Sequence, residues 1–181
     1  EGTAVNGSIL EVRTLTEVAA YAGTHSHLYD MMSAYFERRG TTRAFIGALD
    51  DVVGTQGTRT VTFTTVPTEA GTINFRVNAT LSPIEVTKDQ TVDSVATDMA
   101  AKIGLEDEDT KLPYFAVAAL GVVTITMYNS GLGVGTINVA VLEDSTDDPI
   151  AGLGVTIAAG TPGTADPEIQ DVLDNFGERH F

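Results

Sequence analysis

The feature that most constrains this chain is a change in its hydrophobic period. Residues 1–55 and 163–181 carry helical spacings and a short buried run, while residues 56–162 alternate apolar and polar side chains around a single helix. Alternation sends successive side chains to opposite faces of a sheet, whereas spacings of three and four collect them on one helix face. A chain that leaves one pattern, runs another and then returns predicts an inserted domain. Its two ends must lie close together in space. The expected class is α+β. Residues 1–55 form the first part of an α/β outer piece, and residues 56–162 an antiparallel, β-rich, sandwich-like insert with one packed helix. Residues 163–181 return into the outer piece.

Within the outer piece, Ser8 to Val12 reads as a short strand. Thr16 is placed to cap a short helix with Glu17 in its first turn, and Gly23 ends it. Ser26 caps a second helix, whose apolar residues Leu28, Met31, Met32, Tyr35 and Phe36 are spaced to line one face. Arg38 and Arg39 suit its negative end, and Gly40 stops it. Arg43 to Leu49 is then a buried strand. Asp50, Asp51, Gly54 and Gly57 break the pattern. In the return segment Asp166 caps a helix with Pro167 at its first position and Ile169, Val172, Leu173 and Phe176 on one face.

The insert opens with Thr58 to Thr65 and Thr72 to Thr80, which alternate cleanly and read as a hairpin across Pro67 to Gly71. Leu81 to Val86 is a third strand, which Pro83 places at an edge or a bend. Thr91 caps the helix, with Val92, Val95, Ala96, Met99, Ala100 and Ile103 on its sheet-facing side. Gly104 ends it ahead of an acidic loop, Glu106 to Asp109. Tyr114 to Leu120 and Val122 to Met127 pair across Gly121. Asn129 to Gly135 is a glycine-rich loop, and Thr136 to Leu142 and Gly154 to Ala159 are further strands. An acidic turn, Glu143 to Pro149, separates those two, and Gly160 to Gly163 is a linker. The expected core is Val61, Phe63, Ile73, Phe75, Val77, Met99, Ile103, Val123, Ile125, Ile137 and Val139.

Composition removes several functions. Acidic residues number 25 against 10 basic, a net charge of −15. Non-specific nucleic-acid binding needs Lys and Arg to displace counterions, so it is disfavoured, as are anionic membrane surfaces. Solubility is the ordinary meaning of such a charge. With no cysteine in the chain, disulfides, thiolate metal sites and cysteine nucleophiles are excluded. No apolar run approaches the ~18 residues of a membrane span.

Four groups invite a chemical reading. His25, His27 and Asp30 are metal-ligand types, but Asp30 near a helix start also suits the dipole. Gly131, Gly133 and Gly135 resemble a phosphate cradle, but a strand follows where a helix is needed. Asp144, Asp147 and Asp148, or Glu106 to Asp109, are acidic turns without the spacing of a calcium loop. His180 lies near the chain end. No G-x-S-x-G is present, and no carboxylate pair stands out. Catalytic, cofactor-binding and metal residues are therefore all assigned as none.

The order of elements resembles contractile phage tail sheath proteins of the Mu-like type. The stretch LEVRTLTEVAAYAGTHSHLYDMMSAYFERRGTTRAFIGALDD is similar to the family's N-terminal part. There a strand leads to a helix ending in a Phe-Gly-like pair, here Tyr21-Ala22-Gly23. A serine-capped helix and a buried strand ending in acidic residues follow. The insert resembles the family's inserted domain in GTRTVTFTTVPTEAGTINFRV, TKDQTVDSVATDMAAKI and GVVTITMYNSGLGVGTINVAV. GTPGTADPEIQDVLDNFGERHF resembles its return. The likeness spans residues 8–181 and lies in the order rather than in any one motif. Ala22 stands where the family has Phe, and Val134-Gly135 where it has Gly-Asn.

The resemblance implies a structural subunit, not an enzyme, without cofactor or metal. It would polymerise with other sheath subunits around a tail tube protein and contract to drive that tube through the host envelope. It would act in the virion tail after assembly in the bacterial cytoplasm, with no nucleic-acid or membrane partner. The insert would face outward. Glu1 in place of Met, and a strand due after Phe181, imply an internal piece, monomeric alone. The alternative is a surface adhesin or carbohydrate-binding β-module, which calls for an exposed aromatic platform; aromatics are only 7% and tryptophan is absent. An enzyme with an unrecognised carboxylate pair is the third reading.

Overall fold

The computed structural model describes residues 2–40, 43–49, 54–110, 112–131, 137–142, 150–166 and 168–177. The chain opens with β1 (Ile9–Val12), α1 (Leu15–Ala22), α2 (His27–Arg39) and β2 (Ala44–Gly47). β1 and β2 pair antiparallel, with Leu10 opposite Ile46. Val12, Val18, Tyr21, Met32, Ile46 and Ala48 form a small core between this pair and the two helices. Tyr21 ties that core to the strand entry by donating its hydroxyl to the Ser8 carbonyl at 2.6 Å.

The cap of α1 falls at Thr14, not Thr16. The Thr14 hydroxyl accepts from the Glu17 N–H at 3.3 Å, and the Glu17 carboxylate accepts from the Arg13 and Thr14 N–H groups at 2.6 and 3.2 Å. This reciprocal box satisfies donors that the first helical turn leaves open, and only Thr14 has a glutamate three residues on. Ser26 caps α2 as expected, accepting from the Tyr29 N–H at 3.1 Å, and Gly23 and Gly40 end their helices at positive φ. One part of the α2 stripe fails. Met32 is buried, but Met31 is 69% exposed. Leu28, Met32, Tyr35 and Phe36 already fill the flank facing the core, and Met31 falls beyond its edge.

The insert contains β3 (Gln56–Phe63), β4 (Gly71–Val77), β5 (Thr80–Val86), α3 (Val92–Thr110), β6 (Tyr114–Ala119), β7 (Val122–Ser130), β8 (Val139–Leu142) and β9 (Val155–Ile157). They form two antiparallel sheets, ordered β6-β7-β3-β9 and β5-β4-β8. The overall class is α+β. β3 and β4 are not a hairpin. β3 pairs with β7 and β9, whereas β4 pairs with β5 and β8. Their apolar faces meet across the two sheets instead, with the Phe63 and Phe75 rings edge-on at 6.0 Å. Stacking the sheets buries both faces in one core, which side-by-side pairing would not do. The hairpins that do form turn at Asn78-Ala79 and Leu120-Gly121. Asn78, Leu120 and Gly121 all take positive φ there, as tight two-residue turns require.

α3 closes one side of the sandwich. Its Thr91 cap accepts from the Ser94 N–H at 3.3 Å. Gly104 does not end it, and Glu106 to Asp109 continue the helix rather than forming a loop. Gly104 keeps negative φ, so the left-handed stop is missing. An interior glycine costs only about 1 kcal/mol, so without the left-handed turn it does not by itself stop a helix. Each residue expected in the insert core is buried, together with Tyr114, whose hydroxyl donates to the Val77 carbonyl of the other sheet at 3.2 Å.

The connections into and out of the insert run side by side. The Thr55 N–H donates to the Thr164 hydroxyl at 2.9 Å, and the Thr164 N–H donates back to the Thr55 carbonyl at 2.9 Å. Thr58 and Thr161 form the next bridge. A side chain on Gly54 would collide with the Thr164 carbonyl oxygen, and one on Gly163 would press on the Gly131 and Thr55 carbonyls at 2.7 and 2.9 Å.

The chain then returns as α4 (Gln170–Phe176). It packs on β2 at Gly47, where a Cβ would meet Val172 Cγ1 at 2.5 Å, and the Asn175 amide donates to the Gly7 carbonyl at 2.7 Å. The helix begins after Ile169 without a side-chain cap, so Asp166 lies upstream of it, and Pro167 is outside the described residues. Ile169 and Leu173 are 61% and 54% exposed, because this short helix has one contact line, through Val172 and Phe176, and they flank it.

Candidate functional site

Among the described residues with a chemical reading, His25 is the one the fold builds into a specific environment. It occupies the turn between α1 and α2, which Ser26 braces by donating its hydroxyl to the Gly23 carbonyl at 3.0 Å. The His25 Nδ1 lies 3.1 Å from the Leu112 carbonyl of the insert. A carbonyl only accepts, so Nδ1 carries the proton. The imidazole stacks on Tyr128 at 4.2 Å between centroids, and Phe115 lies against the same tyrosine at 5.1 Å. Asn129 donates its amide to the His25 carbonyl at 2.9 Å. One ring nitrogen is thus spent on a backbone oxygen and one ring face on an aromatic, which is a docking geometry rather than a ligating one.

His27 and Asp30 fall in the first turn of α2, both exposed. No group of three His, Cys, Asp or Glu side chains among the described residues converges as a metal site would require. Partial desolvation pushes the Asp30 carboxyl above its ordinary value, and the nearby His27 and His25 pull it part of the way back. An acid held high in the fold ionises more readily in the unfolded chain. Its charge therefore weakens the fold at neutral pH, and the penalty disappears as the pH falls below the carboxylate range. Asp30→Asn is expected to raise the melting temperature at about pH 7 and to leave it unchanged at about pH 3, read by thermal melts at both.

Gly131 follows β7 at positive φ, and the next described element is strand β8, so among the described residues the phosphate reading has no helix N-terminus to use. Gly133, Gly135, Asp144, Asp147, Asp148 and His180 lie outside the described residues. Glu106 to Asp109 belong to the last turns of α3.

A shallow cleft of about 500 Å³ opens beside the neck, lined by Gly54, Thr55, Gln56, Thr58, Thr126, Tyr128 and Ser130. Its polar groups are hydroxyls and one carboxamide. They give hydrogen bonds without a charge, and the lining holds no base beside a nucleophile. Sequence reasoning missed Tyr128, Asn129 and Leu112 as members of a junction, because nothing local to them points to His25.

The chain matches no family model and no curated protein. Its fold defines it as an α+β protein with two separate buried cores, joined by a paired neck and a histidine-centred contact.

Proposed function

We propose that this chain is part of a structural subunit of a contractile phage or prophage tail sheath, one that polymerises around a tail tube and contracts to drive it through the host envelope. The observation that carries this reading is the order of elements across the neck. A strand, a short helix, a serine-capped helix and a second strand lead out at Thr55, and the chain re-enters at Thr164 to lay α4 back on β2 at Gly47. That order is the one in which the sequence resembles the sheath family. Such a neck adds a domain to one side of a subunit and leaves its other faces for lattice contacts. A net charge of −15 supports the same role, since like charge keeps crowded outward-facing domains apart. The carbohydrate-binding alternative needs an aromatic face open to a sugar, whereas the His25 ring already covers a face of Tyr128.

The test is the full reading frame and its neighbours. The sheath reading expects a long C-terminal domain after Phe181 and a small tail tube protein encoded next to it. Electron microscopy of the full product should show tubes. Light scattering of the 181-residue chain alone should show a monomer or weak oligomer. A frame that stops at Phe181, or that begins with a secretion leader, would overturn the reading in favour of the adhesin.

A further inference from the structure

We propose that His25 is a latch that sets the bearing of the insert on the outer piece, against a neck that would otherwise let it pivot. The inference stands independently of the sheath reading. Relative motion is the default for two domains joined by a small polar contact. The neck at Thr55 and Thr164 is only two chains wide, and its described bonds are backbone and hydroxyl bonds without a buried apolar seam.

His25 adds a second point of attachment, reaching three separate residues of the insert. Stacking on Tyr128, with the ring planes 25° apart, fixes the plane of the imidazole. The Nδ1 bond to the Leu112 carbonyl fixes its rotation within that plane. Two attachments alone leave rotation about the line joining them, and the Asn129 bond to the His25 backbone opposes it. The turn that carries His25 is itself held by Ser26, so the latch transmits the orientation of α1 and α2 to the insert. His25, Tyr128 and Asn129 belong to neither buried core, so the latch can be removed without emptying one.

The chain has no cysteine, so a pair of spin labels can be placed without background. Ala34→Cys on α2 and Glu85→Cys on β5 put labels at exposed positions on either side of the junction. Double electron–electron resonance should give one narrow distance peak. His25→Ala should broaden it by about twofold, as expected for domains freed to move. His25→Phe keeps the stacking, loses the Nδ1 bond and should fall between. Circular dichroism melts of each variant identify any that fails to fold. In that case Asn129→Ala, which removes one side-chain bond, gives the same reading. A peak as narrow in the folded variants as in the parent would overturn the proposal, as would a parent peak that is already broad.

Discussion

Phe75→Ala is expected to destabilise the insert by about 3–5 kcal/mol, the usual cost of removing a fully buried phenylalanine. Phe75 is completely buried at the centre of β4. Its ring meets Phe63 edge-on at 6.0 Å, so the cavity would open between the two sheets rather than at a margin. The neighbours cannot close it cheaply. Val77 is held in register by β5 and β8, and Met99 is fixed by the helix above. The loss should register in the insert alone. Amide exchange should quicken through β3, β4 and β7 while α1 and β1 keep their protection. Uniform loosening of the whole chain would mean that the two cores melt as one.

The converse experiment is Val18→Asp. Val18 is wholly buried in the small core formed by α1, α2, β1 and β2. None of the six residues of that core carries a basic group to pair with a new carboxylate. An unpaired buried charge costs several kcal/mol, which is comparable to the whole stability of a unit this small. The outer piece is therefore expected to unfold. The insert should keep its sheets, because its core uses none of the same residues. Two-dimensional amide spectra would separate the outcomes: collapse of outer-piece signals with retained, dispersed insert signals is expected. Loss of both sets would show that the insert depends on its mount.

Much of the fold was written in local pattern. Val61 and Phe63, then Ile73, Phe75 and Val77, alternate because one face of each strand is buried. Ser26, Gly23 and Gly40 mark helix ends through chemistry that acts over a few residues. What stayed hidden is what local chemistry does not encode. Alternation says which face of β3 and β4 is buried but not which strand lies alongside, so a sheet-to-sheet crossing looked like a hairpin. The true cap of α1 did carry a signal, in the Thr14 to Glu17 spacing that Thr16 lacks. Gly104 misleads because a glycine stops a helix where it turns left-handed, and nothing local to it says that it keeps helical φ instead. The His25 junction had no legible trace, since its partners come from distant parts of the chain and none is unusual where it stands.

The paired neck has a consequence for how such a chain can change. Thr55 and Thr164 are hydrogen-bonded to each other, so the outer piece meets the insert as it would meet a tight turn of its own. The entropy of closing a loop grows only slowly with its length. At the neck, a short turn, this β-sandwich or a different domain with adjacent ends would therefore close the same gap, and a replacement would forgo only the His25 contact. The geometry of the neck thus sets one condition on any domain carried there, that its two ends lie side by side.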